Sequence, residues 1–124
     1  MPTAGFDFAT LRQALERGDA ATLAALYAED AEMTIVDRNR PPSAPLRLVG
    51  QPVIAGFWRD VCAREMTHAV AEAVVGADRI AFVEHCACPD GCNVVSAMTL
   101  EVVEGRIARH LTVQAWDELG RGPG

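Results

Sequence analysis

The chain of 124 residues is long enough for one domain with a single hydrophobic core. Half of its residues are hydrophobic, but no apolar run approaches the roughly 20 residues that a membrane-spanning helix requires. The formal net charge is −6, from 11 basic and 17 acidic residues without a basic cluster, which argues against nucleic-acid binding. We therefore expect one domain over residues 1–124, with neither nucleic acid nor a membrane as its partner.

Residues 1–5 carry no basic segment and no apolar stretch of the kind found in export signals. The expected location is the cytoplasm, where cysteines stay mostly reduced. The spacing Cys86-x-Cys88-x-x-x-Cys92 is not that of a usual zinc-binding pair, so neither a metal nor a cofactor is expected. Cys88 and Cys92 flank a turn signal and could form a disulfide on oxidation.

The first part of the chain predicts two short helices. The first lies between a cap at Asp7 and a stop at Gly18, and the second runs from a cap at Asp19 to about Glu29. Apolar residues at helical spacing indicate that each helix buries one face. These residues are Phe8, Leu11, Leu15, Leu23, Leu26 and Tyr27.

Residues 31–37 alternate as a first strand. Three prolines within residues 39–45 predict a loop, and residues 46–49 predict a brief return strand. Gly50-Gln51-Pro52 then opens a third helix, with proline in its first turn. Its buried face is expected to carry Ile54, Phe57, Trp58 and Val61.

The second half of the chain predicts four strands, at about residues 66–75, 79–88, 92–103 and 106–117. Three-residue turns are expected at Pro89-Asp90-Gly91 and at Glu104-Gly105-Arg106, each with a glycine for a left-handed position.

This choice of turns sets the register of the predicted sheet. Glu84 then faces Ser96, Leu100 faces His110, and the even-numbered residues share the core face. A two-residue turn at Glu104-Gly105 would instead place His110 on the outside.

The last strand has two different faces in this register. The inward row is polar at every second position, as a pocket wall would be, and consists of Ala108, His110, Thr112, Gln114 and Trp116. The outward row is apolar enough to meet another surface, and consists of Ile107, Arg109, Leu111, Val113 and Ala115. We therefore expect a homodimer through the outer face of the sheet.

Four loose motifs occur in a characteristic order: Gly18-Asp19, Leu26-Tyr27-Ala28-Glu29-Asp30-Ala31, Gly50 with Ile54 and Phe57, and Glu104-Gly105-Arg106-Ile107. Over residues 6–118 the chain resembles the NTF2-like superfamily, specifically its small bacterial SnoaL-like members. The resemblance implies an α+β fold, in which three N-terminal helices pack in the concave face of a strongly curved, mostly antiparallel sheet. This cone encloses a pocket, and members often form dimers through the outer sheet face.

The resemblance also implies a range of activities: ketosteroid isomerases, polyketide cyclases, dehydratases and epoxide hydrolases, besides binding-only proteins. The isomerase residues do not carry over. The catalytic aspartate of the first strand falls at Ile35, the tyrosine of the first helix at Leu11, and the second aspartic acid at about Met98 or Thr99. Steroid isomerisation by that mechanism is not expected.

Glu84 and His110 are the leading catalytic candidates. A carboxyl group on the core face is costly unless it is hydrogen-bonded, protonated or paired. Glu84 is therefore either a general base or a structural partner of Ser96 and Gln114. His110 matches the histidine of a cyclase-type last strand (Gly-x-Ile-x-x-His-Trp-Asp), but the acid of that motif is replaced by Thr112. His110 is either an acid, base or donor to a ligand, or a core histidine bonded to a backbone carbonyl.

Asp37 is the third catalytic candidate, because it lies one alternation beyond the isomerase base position on the same face and could supply a carboxylate at the pocket mouth. Alternatively, it pairs with Arg38 or Arg40 as ordinary surface charge. His68 is expected inward, beside Cys86. The residues expected to line the ligand pocket are Tyr27, Trp58, His68, Ser96, Met98, Thr112, Gln114 and Trp116, although Tyr27 and Trp58 also suit helix packing.

The leading functional hypothesis is a cofactor-independent pocket protein that acts on a small apolar molecule by acid–base chemistry. Isomerisation, cyclisation, dehydration and epoxide opening are the reaction classes considered. The alternative is a non-catalytic, dimeric module that binds such a molecule. A purely structural dimerisation domain is the third hypothesis, and it predicts a pocket filled by side chains.

Overall fold

The structure is a computed structural model that describes residues 6–117. Residues 1–5 and Glu118 lie outside the described residues. The export-signal prediction concerns residues 1–5, and the resemblance ends at Glu118. In chain order the elements are α1 (Phe8–Arg17), α2 (Ala20–Ala25), β1 (Tyr27–Val36), β2 (Leu46–Val49), α3 (Gln51–Cys62), β3 (Thr67–Val75), β4 (Arg79–Ala87), β5 (Asn93–Val103) and β6 (Arg106–Trp116).

The predicted α+β class with a curved sheet is confirmed, and the expectation of three N-terminal helices is confirmed only in part. α1 and α2 precede the sheet, but α3 follows β2. α1 packs on β3, and α3 packs on β1 and β2, so the buried apolar residues form a core between the helices and the sheet. No helix within residues 6–117 combines the length and hydropathy needed to cross a membrane.

The predicted caps of the first two helices are confirmed. Asp7 accepts a hydrogen bond from Ala9 N at 3.0 Å, and Asp19 accepts one from Thr22 N at 3.1 Å. The predicted end of α2 near Glu29 is wrong, since the helix stops at Ala25 and Tyr27 begins β1. The cause is tertiary: β6 pairs alongside this segment, and Ile107 N donates to the Leu26 carbonyl at 2.9 Å.

The sheet has six strands in the order β2-β1-β6-β5-β4-β3. β1 and β6 run parallel, and every other neighbouring pair is antiparallel. The last strand, β6, therefore pairs with the first strand, β1, and lies near the middle of the sheet. This position places the side chains of β6 against α3 and β1.

The hairpin between β4 and β5 has the predicted register. Glu84 pairs with Ser96, and Phe82 pairs with Met98. Cys88 N donates to the Cys92 carbonyl at 2.9 Å across the turn, and both thiols are free.

The hairpin between β5 and β6 differs from the prediction at its turn. Glu104 and Gly105 form a two-residue turn with φ values of 51° and 77°. A β-bulge then follows, because Val102 pairs with Ile107 while Glu101 pairs with Arg109. The extra residue of the bulge restores the register, so His110 still faces Leu100 and points inward.

The bulge also corrects one predicted face. Ile107 was expected on the outside, but it is fully buried. Residues before the bulge are displaced by one position relative to those after it, so the alternation that holds from Arg109 onward does not extend back to Ile107.

Candidate functional site

A cavity of about 760 Å³ lies between α3 and the inner face of the sheet. Its volume is within the range of small-molecule sites. The wall combines apolar residues, such as Ile35, Leu48, Phe57 and Met98, with polar and charged residues, of which Arg59 is exposed. This open space differs from the filled pocket that the hypothesis of a purely structural dimerisation domain predicts.

Three polar side chains from two strands meet on one wall of this cavity. His68 Nδ1 lies 3.0 Å from Glu84 Oε2 and 3.3 Å from Cys86 Sγ. The side chains of His68 and Glu84 are only 6% and 4% exposed. His68 pairs with Cys86 across β3 and β4, and Glu84 precedes Cys86 by two residues on the same face. The predicted position of His68 beside Cys86 is confirmed.

Glu84 thus bonds to His68 rather than to Ser96 or Gln114, its expected alternative partners. Ser96 Oγ is buried and has no hydrogen-bond partner among residues 6–117, and Gln114 Oε1 accepts from Trp116 Nε1 at 3.0 Å. A buried carboxyl group paired with an imidazole on a cavity wall can pass a proton to and from a bound molecule.

The Cys86 thiol is the member of this group that sequence reasoning did not select. Burial, and then the neighbouring Glu84 charge, raise the pKa of Cys86. Because the thiolate is the nucleophilic form, this thiol is not activated for covalent chemistry. The cysteine spacing associated Cys86 with Cys88 and Cys92, whereas the alternation of β4 was the signal that placed it beside Glu84.

A second polar group lies deeper, between α3, β1 and β6. Trp58 Nε1 donates to the Tyr27 hydroxyl oxygen at 3.2 Å, and this hydroxyl lies 2.7 Å from His110 Nδ1. His110 Nε2 lies 2.8 Å from Thr112 Oγ1. Because the tryptophan can only donate, we assign the Tyr27 proton to the bond with His110 Nδ1, which leaves Nε2 protonated and donating to Thr112.

Burial controls the charge of this second group. It lowers the pKa of His110 to about 3, so the imidazole is neutral at physiological pH. Burial likewise raises the pKa of Tyr27. His110 and Tyr27 lie behind the cavity wall, whereas Thr112 and Trp58 are part of it. His110 therefore reaches the cavity through the Thr112 hydroxyl group.

The remaining predicted site residues divide by position. Ser96 is buried outside the cavity lining. Asp37 lines the edge of the cavity, where Oδ2 lies 3.2 Å from Arg40 Nη1 and Oδ1 accepts from Asn39 N at 2.8 Å. Asp37 therefore pairs with Arg40, as its alternative role supposed, but its side chain is only 9% exposed and is not ordinary surface charge. The predicted residues that do line the cavity include Trp58, His68, Met98, Thr112, Gln114 and Trp116.

Comparison with known proteins agrees with this architecture. The sequence profile of the SnoaL-like domain family matches residues 8–110. No curated protein shows a significant match to the chain.

Solved structures share the fold over most of the chain. A candidate ketosteroid isomerase from Kribbella flavida is 20% identical, with a TM-score of 0.73 over 94% of this chain and 79% of that one. An NTF2-like protein of unknown function from Mesorhizobium loti is 19% identical, with a TM-score of 0.78 over 87% of each chain. Wild-type IdmH from Streptomyces antibioticus, a candidate polyketide cyclase, is 26% identical, with a TM-score of 0.62 over 86% of this chain and 88% of that one.

Proposed function

The chain belongs to the SnoaL-like domain family, and on that premise we propose that it is an enzyme that acts without a cofactor, by acid–base chemistry, on a small and mostly apolar molecule in the cavity. The observation that carries the proposal is the buried Glu84 carboxyl group on the cavity wall, 3.0 Å from His68 Nδ1. A carboxyl group and an imidazole in hydrogen-bond contact can together accept a proton from a bound molecule and return it to another atom of the same molecule.

The apolar part of the wall supports a substrate whose bulk is hydrocarbon. Ile35, Leu48, Phe57 and Met98 offer dispersion contacts and exclude water from the reacting group. Two structural neighbours are named for a ketosteroid and a polyketide, which are apolar frameworks that carry oxygen. Isomerisation, cyclisation, dehydration and epoxide opening on such a framework all require a positioned acid and base.

The second polar group supplies a partner for a substrate oxygen. Thr112 Oγ1 accepts from His110 Nε2, so its own hydrogen is available to an acceptor in the cavity. In this role Thr112 binds a carbonyl or epoxide oxygen, while His110 and Tyr27 act as positioning residues behind it.

A turnover and binding experiment tests this function. A panel of apolar ketones, β-hydroxy ketones and epoxides covers the reaction classes. Glu84→Gln is expected to lower turnover of an accepted compound by at least about a hundredfold. Its affinity is expected to stay within about tenfold of the native protein, or roughly 1.4 kcal/mol. Both tryptophans, Trp58 and Trp116, line the cavity, so their fluorescence reports binding directly.

The matched control is His85→Gln, which changes an exposed neighbour of Glu84 on the opposite face of β4. It is expected to leave turnover unchanged. The alternative function, a non-catalytic binding module, predicts saturable fluorescence changes with no turnover by the native protein. Native turnover that persists in Glu84→Gln would remove Glu84 from the chemistry.

A further inference from the structure

We propose that His68, Glu84 and Cys86 form a binding site for a zinc-like divalent cation, with the remaining coordination position open to the cavity. The three side chains offer one imidazole nitrogen, one carboxylate oxygen and one sulfur. This site goes beyond the proposed acid–base function and does not rest on it.

The donor atoms are already close to the spacing that zinc requires. They all lie within 4.8 Å of one another, with Nδ1 of His68 at 3.0 Å from Glu84 Oε2 and 3.3 Å from Cys86 Sγ. Tetrahedral zinc with bonds of about 2.0–2.3 Å separates its ligand atoms by about 3.3–3.6 Å. The two contacts that His68 makes therefore have to open by only about a few tenths of an ångström.

The sheet holds the three donors without help from a loop. His68 and Cys86 are directly paired residues of β3 and β4, and Glu84 lies two residues before Cys86. Adjacent strands keep such side chains on one face and at a set spacing. The site is thus largely preformed, and cation binding does not have to order the backbone.

The chemistry of the donors selects the class of cation. Thiolate and imidazole ligands suit zinc and related transition metals, while magnesium and calcium prefer oxygen ligands alone. Binding displaces the Cys86 thiol proton to solvent, because the thiolate is the ligand. The bound cation also compensates the buried Glu84 carboxylate. Three protein ligands and an open fourth position match the arrangement of zinc sites that bind water or a substrate in the fourth position.

Cation binding and acid–base chemistry exclude each other at this wall. Zinc would occupy the lone pairs of Glu84 and His68 that otherwise accept a proton. The inference therefore includes inhibition by zinc, which a chelator reverses.

Cobalt(II) titration tests the site without any substrate. The protein carries Cys88→Ser and Cys92→Ser to remove the hairpin thiols. We expect one equivalent of cobalt to bind with a thiolate-to-metal charge-transfer band, and zinc to displace it. Adding Cys86→Ser is expected to abolish the band and to weaken zinc binding by at least about a hundredfold, since even an outer-shell change costs about 10–100-fold.

Two further variants keep the outcome decisive. Glu84→Gln, which preserves side-chain shape, is expected to weaken cobalt binding while the band remains detectable at high cobalt. His85→Gln is expected to bind like the parent. No saturable binding of one equivalent by the parent, or unchanged affinity after Cys86→Ser, would overturn the inference. Neither result bears on turnover by the metal-free protein, so the two proposals fail separately.

Discussion

The hydroxyl group of Tyr27 lies 2.7 Å from Nδ1 of His110, although 83 positions separate the two residues in the chain. The two rings are stacked, with an interplanar angle of 11°. The contact connects the start of β1 to the middle of β6, and the Trp58 donor extends it to α3. The contact also makes Nδ1 of His110 an acceptor, so that Nε2 donates to Thr112.

Removal of the Tyr27 hydroxyl group is expected to destabilise the protein. Tyr27→Phe leaves Trp58 Nε1 and His110 Nδ1 buried without their partner, so the free energy of unfolding should fall by about 1–3 kcal/mol. Urea unfolding followed by fluorescence measures the change. Thr67→Val, which removes an exposed hydroxyl group on the edge strand β3, is the control and should change stability by less than about 0.5 kcal/mol. Equal effects of the two variants would contradict the buried network.

The pH dependence of stability is expected to depend on His110. Burial lowers its pKa to about 3 in the folded state, against about 6.5 in the unfolded chain. Between these values the unfolded chain binds a proton that the folded protein does not, so stability falls as pH falls through this window. The slope contributed by this one group approaches about 1.4 kcal/mol per pH unit.

His110→Gln is expected to remove that contribution, whatever its effect on stability at neutral pH. Urea unfolding at several pH values between about 6.5 and 4 gives the two slopes. His85→Gln changes an exposed histidine and should retain the slope of the native protein. A native slope that survives in His110→Gln would show that folding does not lower the pKa of His110.

Replacement of Glu104, in the turn between β5 and β6, is expected to stabilise the protein. Glu104 adopts φ of 51°, a left-handed conformation that asparagine tolerates better than glutamate. Glu104→Asn should raise the free energy of unfolding by about 0.5–1 kcal/mol. Glu65→Asn makes the same chemical change at an exposed position without positive φ, and thermal unfolding should show no comparable gain. Loss of stability in Glu104→Asn would argue against this turn.

We propose that two copies of the chain associate through the outer face of β5 and β6. Leu111, Val113 and Val95 are 41%, 45% and 40% exposed on that face. Such a contiguous apolar surface favours burial against a partner. Leu111→Arg is expected to convert a dimer into monomers in sedimentation velocity at micromolar concentration. Val75→Arg, at an exposed position on the edge strand β3, should leave the dimer intact. A native protein that sediments as a monomer would exclude the association.

The alternation of the strands and the helix caps were readable from the sequence, because both depend on neighbouring residues. Period-two alternation placed Glu84, His68 and Thr112 on the inner face, and Asp7 and Asp19 marked the helix starts. The hairpin between β4 and β5 followed from a short turn with a glycine.

Features that depend on competition between distant segments were not readable in this way. Helix propensity extends through Tyr27, but pairing with β6 replaces the helix there with a strand. Two turn lengths fit the residues around Gly105, and a bulge compensates for the one that forms. His110 thus points inward because a two-residue turn is combined with a bulge, and not because of the predicted three-residue turn.

Within an unbroken strand, the sequence by itself determined which side chains share a face, since that depends only on the geometry of the strand. At the bulge next to Ile107, the pairing with β5 decided the face instead. The tertiary structure decided which of those side chains form hydrogen bonds. Glu84 bonds to His68 rather than to the expected Ser96 or Gln114, and Tyr27 meets His110 because β1 lies parallel to β6. Hydrogen bonds depend on tenths of an ångström between strands that the chain brings together from distant positions, and no local pattern encodes that distance.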